Sequence, residues 1–290
     1  MINQTVLMSG VDFFSDDAPI NPFMDAEVAI NLDVARREHA AIGAALAAAG
    51  VSVVGAEPPA DCQDGVFTAN WALVRGDLAV LARLPNARKG EEAYARDVLE
   101  NLGKTVIELP PSVELFSGQG DALPCGDYLF CGSTYRSDVR AQEFVADKLG
   151  FTRIQLRAKP LLDERGQPVI NAHSGLPDSF YYDLDLAISI LKAPENGQKG
   201  LIAWCPEAFT AESQALLRSF DAVDKIEVSE SEAVTRLACN LVSTGSHVIM
   251  NNAPELAAAI EAHGLTTTRL DNPEIAKGGG SVRCVTLTLE

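Results

Sequence analysis

A cysteine near the end of the sequence, Cys284, has surroundings that suggest chemistry. It follows the glycines Gly278–Gly280 in the segment KGGGSVRCVTLTLE. Glycines let a backbone turn sharply and approach a ligand closely. A thiolate is a strong nucleophile, and a neighbouring cation lowers the pKa of its thiol. Cys284 is therefore either a reactive thiol or a small apolar residue in a closing strand.

Polar residues at one position of an internal repeat are candidate partners for this thiol. We expect them in the first strand of each repeat, about five or six residues before its glycine turn, or at the matching place in the looser repeats. They are Asn70, Asp121, Asp183 with Asp185, Asn240 and Cys284. Any one of them is explained by a strand end or a turn cap. Their recurrence at the same repeat position favours a shared central cavity.

The residue types in this cavity limit the ligand that it accepts. Two buried carboxylates repel each other unless a cation lies between them. A guanidinium suits this position, because its planar fork of N–H donors matches carboxylates. Asp121, Asp185 and Cys284 together predict attack of the thiolate on a guanidinium carbon. The expected intermediate is an S-alkylthiouronium, which water or an amine would release.

The elements that position these residues form a repeat of roughly 40–50 residues. Each unit reads as strand, glycine turn, strand, helix and strand, as in FTANWALV-RGD-LAVLARL followed by RKGEEAYARDVLENLG and KTVIEL. Four units follow this plan, the third of them loosely. The N-terminal strand TVLMSG and the C-terminal RCVTLTLE supply a fifth. We therefore predict an α/β fold, a five-bladed αβ propeller of one domain over residues 1–290, closed by its two terminal strands.

Composition excludes several other classes of protein. The 290 residues are 47% hydrophobic and carry a net charge of −17, without a basic cluster that would bind nucleic acid. We expect no signal peptide and no membrane-spanning segment. None of the six cysteines forms a CxxC pair, which argues against structural zinc. A cytoplasmic protein with reduced thiols is the expectation.

Motifs in a consistent order along nearly the whole chain resemble those of the guanidino-group-modifying, or pentein, superfamily. Its members include amidinotransferases, arginine deiminases, dimethylarginine dimethylaminohydrolases and arginine dihydrolases. The matching segments are INPFMD, DGVFTANWALV, ARKGEE, SGQGDAL, GSTYRSD, YYDLDLAISIL, CPEAF, CNLV and GGGSVRC. Each motif alone is a weak signal, and their order makes the resemblance strong. The superfamily fold is the same five-bladed propeller.

The resemblance implies a role for each matching residue. Cys284 would be the nucleophile, and Asp185 would help to clamp the guanidinium. Substrate-binding roles fall on residues that face the guanidino group or the substrate carboxylate: Asp121, Asn70, Arg88, Arg136 and Asn21. Neither a metal nor an organic cofactor is implied.

Two positions depart from the family pattern. The family's acid/base histidine is Asp183 here, and a glutamate that precedes Gly118 is Ser117. An aspartate must have its pKa raised by burial before it can transfer protons at neutral pH. His173, in a long loop before Tyr181, is the alternative proton relay, although Asp183 is favoured.

The sequence therefore predicts a cysteine-dependent hydrolase of the guanidino group of arginine or an N-methylated arginine. Amidino transfer to an amine is the alternative reaction. A guanidino-binding protein without turnover is the alternative class, because Asp183 replaces the histidine. The expected partner is a small guanidino molecule, with neither nucleic acid nor a membrane. A homo-oligomer is compatible with the sequence.

Overall fold

The structure is a computed structural model that describes residues 2–133 and 135–290; Thr134 of the GSTYRSD motif lies outside them. The strands are β1 (Thr5–Met8), β2 (Ser52–Gly55), β3 (Ala72–Arg75), β4 (Leu78–Leu81), β5 (Thr105–Ile107), β6 (Ala122–Cys125), β7 (Tyr128–Ser133), β8 (Thr152–Arg157), β9 (Ile188–Lys192), β10 (Gly200–Trp204), β11 (Val223–Glu227), β12 (Val242–Ser243), β13 (His247–Asn251), β14 (Thr266–Leu270) and β15 (Leu287–Thr288). The helices are α1 (Leu32–Ala48), α2 (Gly90–Asn101), α3 (Val139–Leu149), α4 (Ala211–Ser219), α5 (Glu230–Thr235), α6 (Pro254–Ala262) and α7 (Pro273–Ala276).

These strands form five three-stranded sheets, which are the blades of the predicted propeller. Their orders are β15-β1-β2, β3-β4-β5, β6-β7-β8, β9-β10-β11 and β12-β13-β14. In each sheet the first strand runs antiparallel to the second, and the second runs parallel to the third. A parallel pair needs a crossover, and a helix between the second and third strands supplies it. The five-bladed αβ propeller is confirmed.

The two ends of the chain share one blade, as the repeat predicts. Val6 of β1 pairs with Thr288 of β15, and Leu7 pairs with Leu287. This pairing brings the segment around Cys284 to the ring even though it lies near the end of the sequence. The hydrophobic core continues under the blade, where Val6, Ile42 and Cys284 belong to one buried cluster.

The repeated polar residues do not lie in the first strands, which corrects the expectation. Asn70 lies in a single 3₁₀ turn just before β3, and Asp121 directly follows another one before β6. Asp185 lies in a third such turn before β9, and Cys284 precedes β15 by three residues. Successive strand residues point to opposite faces of a sheet, whereas a turn can direct a side chain past the strand end towards the ring axis.

Two short helices, α5 and α7, were not anticipated from the sequence. Glu232 of α5 accepts hydrogen bonds from the backbone of Glu255 and Leu256, at the start of α6. Glu38 of α1 does the same for the first residues of α7. Carboxylates at helix N-termini satisfy unpaired N–H groups, so these contacts join the outer elements of neighbouring units. No helix among the described residues is long and apolar enough to cross a membrane.

Candidate active site

The thiol of Cys284 is buried in a cluster of polar side chains at the ring axis. Its Sγ lies 3.3 Å from Oδ2 of Asp185, to which it donates, and accepts a hydrogen bond of 3.0 Å from Nδ2 of Asn240. Burial, then the charges of Asp185 and Asp183, raises the pKa of the Cys284 thiol well above its usual range. Its burial and these charges therefore favour the protonated thiol.

Asn240 also fixes the backbone that carries the thiol. Its Oδ1 accepts from the backbone N–H groups of Ser281 at 2.8 Å, Arg283 at 3.2 Å and Cys284 at 3.1 Å. Residues 281–286, between the glycine triplet and β15, are not part of a strand, so their N–H groups have no ladder partner among the described residues. A single amide side chain thus satisfies three buried donors and orients the sulfur.

Asp183 lies on the other side of this cluster and is held by Asn70. Nδ2 of Asn70 donates to Oδ2 of Asp183 at 2.8 Å, and also to Ser117, whose Oγ is 2.9 Å away. A Cβ on Gly120 would come within 2.8 Å of the Asp183 carboxylate. Glycine at 120 therefore provides the space in which the Asn70–Asp183 contact forms.

Asp121 is the third carboxylate and is tied to the backbone between the other two. Its Oδ1 accepts from the N–H of Leu184 at 3.0 Å. Burial and the charge of Asp183 raise the pKa of Asp121 well above its usual range. Burial and Asp183 also raise the pKa of Asp185 to about 8. Three buried carboxyl groups thus share a site in which full ionisation is unfavourable without a cation.

Two carboxylate oxygens in this cluster have no partner. Oδ1 of Asp183 and Oδ1 of Asp185 are buried, and neither has a hydrogen-bond donor among the described residues. Burying a carboxylate oxygen without a donor costs free energy, so such atoms are rare in folded proteins. The two oxygens belong to residues that lie next to Cys284 or its neighbours. They therefore indicate a position where a ligand with N–H donors would fit.

Arg88 has a different environment from the one expected for a residue that binds a substrate carboxylate. Its guanidinium forms a buried ion pair with Glu91, at 2.7 Å for both Nε and Nη2. It also donates to Oδ1 of Asn70 at 2.6 Å and to two backbone carbonyls. Its charge is neutralised within the protein, and its evident effect is to orient Asn70.

Arg136 has no such counter-ion. It is 4% exposed, stacks 4.0 Å above the ring of Tyr182 and donates to the carbonyl of Ile20 at 3.0 Å. Within the described part of the chain it forms no ion pair. Since a guanidinium has five N–H donors, Arg136 retains several for a carboxylate.

Asn21 connects this region to the glycine triplet. Its Nδ2 donates to the carbonyl of Gly278 at 3.0 Å, and Tyr182 donates to the carbonyl of Gly279 at 2.8 Å. Gly279 has a φ of +89°, and a Cβ there would lie 2.6 Å from Asn21. The triplet therefore brings backbone within contact of the site, as its sequence predicts.

His173 is not brought into this cluster. It is exposed, and its backbone N–H donates to Asn171 in the same loop. Among the described residues, no hydrogen bond joins its ring to Cys284, Asp183 or Asp185. The His173 side chain is exposed in a loop, whereas the Cys284 thiol is buried. The structure therefore gives no support to His173 as the alternative proton relay.

Sequence reasoning singled out Asn240 in the repeat but gave it no role, and it overlooked Tyr182 and Glu91. For Glu91 a signal was present: the spacing of Arg88 and Glu91 places both side chains on one face of the turn that begins α2. For Tyr182 the signal was its position next to Asp183. The four contacts of Asn240 depend on tertiary structure and had no signal in the sequence.

Comparisons with known proteins agree with this geometry. The chain is 30% identical over 279 residues to the N(G),N(G)-dimethylarginine dimethylaminohydrolase of Mycobacterium tuberculosis, covering 96% of this chain and 83% of that protein. It is 35% identical over 229 residues to the bifunctional arginine dihydrolase/ornithine cyclodeaminase AgrE of Nostoc, covering 77% of this chain. The match spans only 29% of AgrE. No family model matches the chain.

Solved structures show the same fold. The N-terminal domain of the cyanobacterial arginine dihydrolase ArgZ, bound to its product, superposes with a TM-score of 0.84 at 28% identity, covering 99% of this chain and 97% of that domain. A variant of that domain was solved covalently bonded to a reaction intermediate, also with a TM-score of 0.84. With its five blades, its buried thiol and this similarity to the mycobacterial enzyme over nearly its whole length, the chain belongs to the guanidino-group-modifying, or pentein, superfamily.

Proposed function

We propose that this protein is a cysteine-dependent hydrolase of the guanidino group of arginine or an N-methylated arginine. The observation that carries the proposal is the pair of unpartnered buried oxygens, Oδ1 of Asp183 and of Asp185, beside the Cys284 thiol. A guanidinium supplies both the positive charge and the N–H donors that these oxygens lack. Relatives named as arginine dihydrolases and a dimethylarginine dimethylaminohydrolase support the same reaction class.

The substrate itself would activate the nucleophile. In the free protein, burial and the neighbouring carboxylates raise the pKa of Cys284. A guanidinium placed between Asp121 and Asp185 adds a positive charge, which lowers the pKa of the thiol again. The thiol proton then leaves to solvent by way of Asp185, its hydrogen-bond acceptor, so that Asp185 stays ionised against the guanidinium. A reactive thiolate therefore forms only when substrate is bound.

The reaction would proceed in two stages. The Cys284 sulfur bonds to the guanidinium carbon, and the C–N bond to ammonia or a methylated amine breaks after that nitrogen is protonated. The resulting thiouronium reacts with water, the C–S bond breaks, and a ureido product leaves. Asp183, in the position of the family histidine and oriented by Asn70, is the candidate acid for the departing amine.

Arg136 is the candidate anchor for the amino-acid part of the substrate. Its buried, unpaired charge and free N–H groups suit an α-carboxylate. Arg88, whose charge is already balanced by Glu91, would act by holding Asn70. Arg136 would thus recognise the amino-acid part of the substrate, and Arg88 would position Asp183 by way of Asn70.

A panel of substrates tests the proposal. L-Arginine, its N-methylated forms and agmatine are incubated with the protein, and ammonia, methylamines, citrulline and ornithine are measured. We expect turnover of at least one amino acid and a Cys284 adduct by mass spectrometry. A Cys284→Ala variant is the control, and equal product from this variant would refute the assignment.

One observation favours a second candidate, a guanidino-binding protein without turnover: Asp183 replaces a histidine, and no histidine contacts the described cluster. A thiol-reactive amidine separates the two candidates. Selective labelling of Cys284 indicates an activated nucleophile. Labelling of all six cysteines alike, or only after unfolding, indicates a binding protein.

A further inference from the structure

The arginine directly before the candidate nucleophile, Arg283, has no role in the proposed function. It is 7% exposed, and its guanidinium donates to Oε1 of Gln119 at 2.8 Å, to Oγ1 of Thr288 at 3.0 Å and to the carbonyl of Thr286 at 3.4 Å. All three acceptors are neutral, and within residues 2–133 and 135–290 Arg283 forms no ion pair. Burying a charge without a counter-ion costs free energy, so a cation at this position needs an explanation.

Hydrogen bonds hold this guanidinium at a fixed place relative to the thiol. Gln119, its acceptor, also donates to the carbonyl of Thr288 at 2.9 Å and accepts from the N–H of Thr288 at 2.9 Å. The backbone N–H of Arg283 donates to Oδ1 of Asn240 at 3.2 Å. Nδ2 of the same amide donates to the Cys284 sulfur. Both ends of Arg283 are therefore anchored, one of them to the residue that orients the nucleophile.

The charge of Arg283 acts on Asp185 and Cys284 through space. Arg283 and Asp185 line the same cavity, and Asp185 accepts the hydrogen bond of the Cys284 thiol. Charges interact more strongly across a buried site than across water. Burial and Asp183 raise the pKa of Asp185 to about 8, and the positive charge of Arg283 opposes them. Burial lowers the pKa of Arg283, and the charges of Asp185 and Cys284 oppose that effect in turn.

The other titratable groups around these three residues do not supply a positive charge. They are acids that are either neutral or negative: Asp121, Asp183, Tyr182, Cys239 and Glu290. Glu290 is exposed and accepts from the backbone N–H of Thr5 at 2.9 Å. Arg88 is balanced by Glu91, and Arg136 is the candidate anchor for the substrate carboxylate. Among the described residues, Arg283 is thus the buried cation that neither an ion pair nor the proposed substrate accounts for.

We propose that Arg283 is the resident cation of the active site, and that its charge stabilises the ionised forms of Asp185 and the Cys284 thiol. This inference deepens the proposed function and rests on it. The positive charge of the substrate is lost when a neutral ureido product leaves, whereas the charge of Arg283 remains in the free protein. Arg283 acts through Asp185 and Cys284 and is therefore a positioning residue.

Two variants separate the charge of Arg283 from its hydrogen bonds. Arg283→Lys keeps the charge and loses the guanidinium fork, whereas Arg283→Met loses both. Arg37→Met, at an exposed position of α1, is the matched control. The protein without substrate is treated with iodoacetamide at pH 7, 8 and 9, and the rate of Cys284 alkylation is measured by mass spectrometry. Iodoacetamide is neutral, so the carboxylates do not attract the reagent.

We expect Arg283→Met to be alkylated about tenfold or more slowly than wild type at each pH, because loss of a nearby positive charge raises the pKa of a thiol by about one unit or more. Arg283→Lys should stay within about threefold of wild type, since it keeps the charge. The wild-type rate in Arg283→Met would overturn the proposal. Equal slowing in both variants would also overturn it, because hydrogen bonds and not charge would then be responsible.

Two further measurements keep the test decisive. Should Arg283→Met fail to fold, the uncharged Arg283→Gln takes its place under the same criterion. Should iodoacetamide not reach the wild-type thiol, the ultraviolet absorbance of the thiolate is titrated instead, as the difference between each protein and its Cys284→Ala form; identical titrations in wild type and Arg283→Met would overturn the proposal. A charge effect in a protein that turns over no guanidino substrate would support the role of Arg283 and refute the proposed function.

Discussion

Replacing Asp185 with asparagine should stabilise the free protein while removing its activity. Asp185 is buried beside Asp183, and its Oδ1 has no hydrogen-bond partner within the described ranges 2–133 and 135–290. Burial and the Asp183 charge raise the pKa of Asp185 from 3.8 to about 8. Asparagine has nearly the same shape as aspartate and carries no charge. The variant therefore removes the free-energy cost of ionising a buried carboxyl group and keeps the packing.

The size of the effect follows from proton linkage. The folded carboxyl binds a proton that the unfolded carboxyl releases above pH 4, so stability falls as pH rises from about 4 to 8. With folded and unfolded pKa values of about 8 and 3.8, Asp185 destabilises the protein by about 2 kcal/mol at pH 5 and about 5 kcal/mol at pH 8. The advantage of Asp185→Asn over wild type should therefore grow by about 3–4 kcal/mol between pH 5 and pH 8.

Urea unfolding at pH 5, 6, 7 and 8 measures this difference. Urea is chosen because guanidinium chloride would supply a ligand for the carboxylates. Asp97→Asn, at an exposed position of α2, is the control and should show no pH-dependent advantage. A stability difference between Asp185→Asn and wild type that is the same at pH 5 and pH 8 would refute the reasoning, because it would mean that Asp185 ionises normally.

Four further predictions concern the residues around the thiol. Arg88→Met should destabilise the fold by about 3–5 kcal/mol in a urea titration, because Glu91 is left as an unpaired buried charge. Arg136→Met should leave unfolding nearly unchanged but raise KM for arginine more than for agmatine, which has no carboxylate; equal effects on both would contradict its assignment. Asn240→Ala should lower the free energy of unfolding by about 1–3 kcal/mol, because three buried N–H groups lose their acceptor, and should slow labelling of Cys284 by an amidine reagent. Asp183→His tests the proton-transfer position: hydrolysis that appears only in this variant would show that aspartate does not serve there.

Much of the fold could be predicted because it repeats. Alternating apolar runs, glycine turns and segments with helical periodicity occur again in each unit. Each occurrence predicts the same local geometry. The position of Cys284 at the ring axis followed from counting the units rather than from any long-range contact. The sequence pattern did not show that the polar residues lie before the strands, because a strand end and the 3₁₀ turn before it contain the same residue types.

The sequence by itself determined the residue types at the ring axis, the closure of the ring by its two ends and the need for glycine at 278–280. These features depend on local backbone geometry and on the repeat, and both can be inferred from the order of the residues. Only the tertiary structure decided that the Arg88–Glu91 pair is buried against Asn70, that Arg136 forms no ion pair among the described residues, and that Asn240 holds the thiol. Partner choice depends on which side chains meet after the blades assemble, and burial then determines how strongly their charges interact.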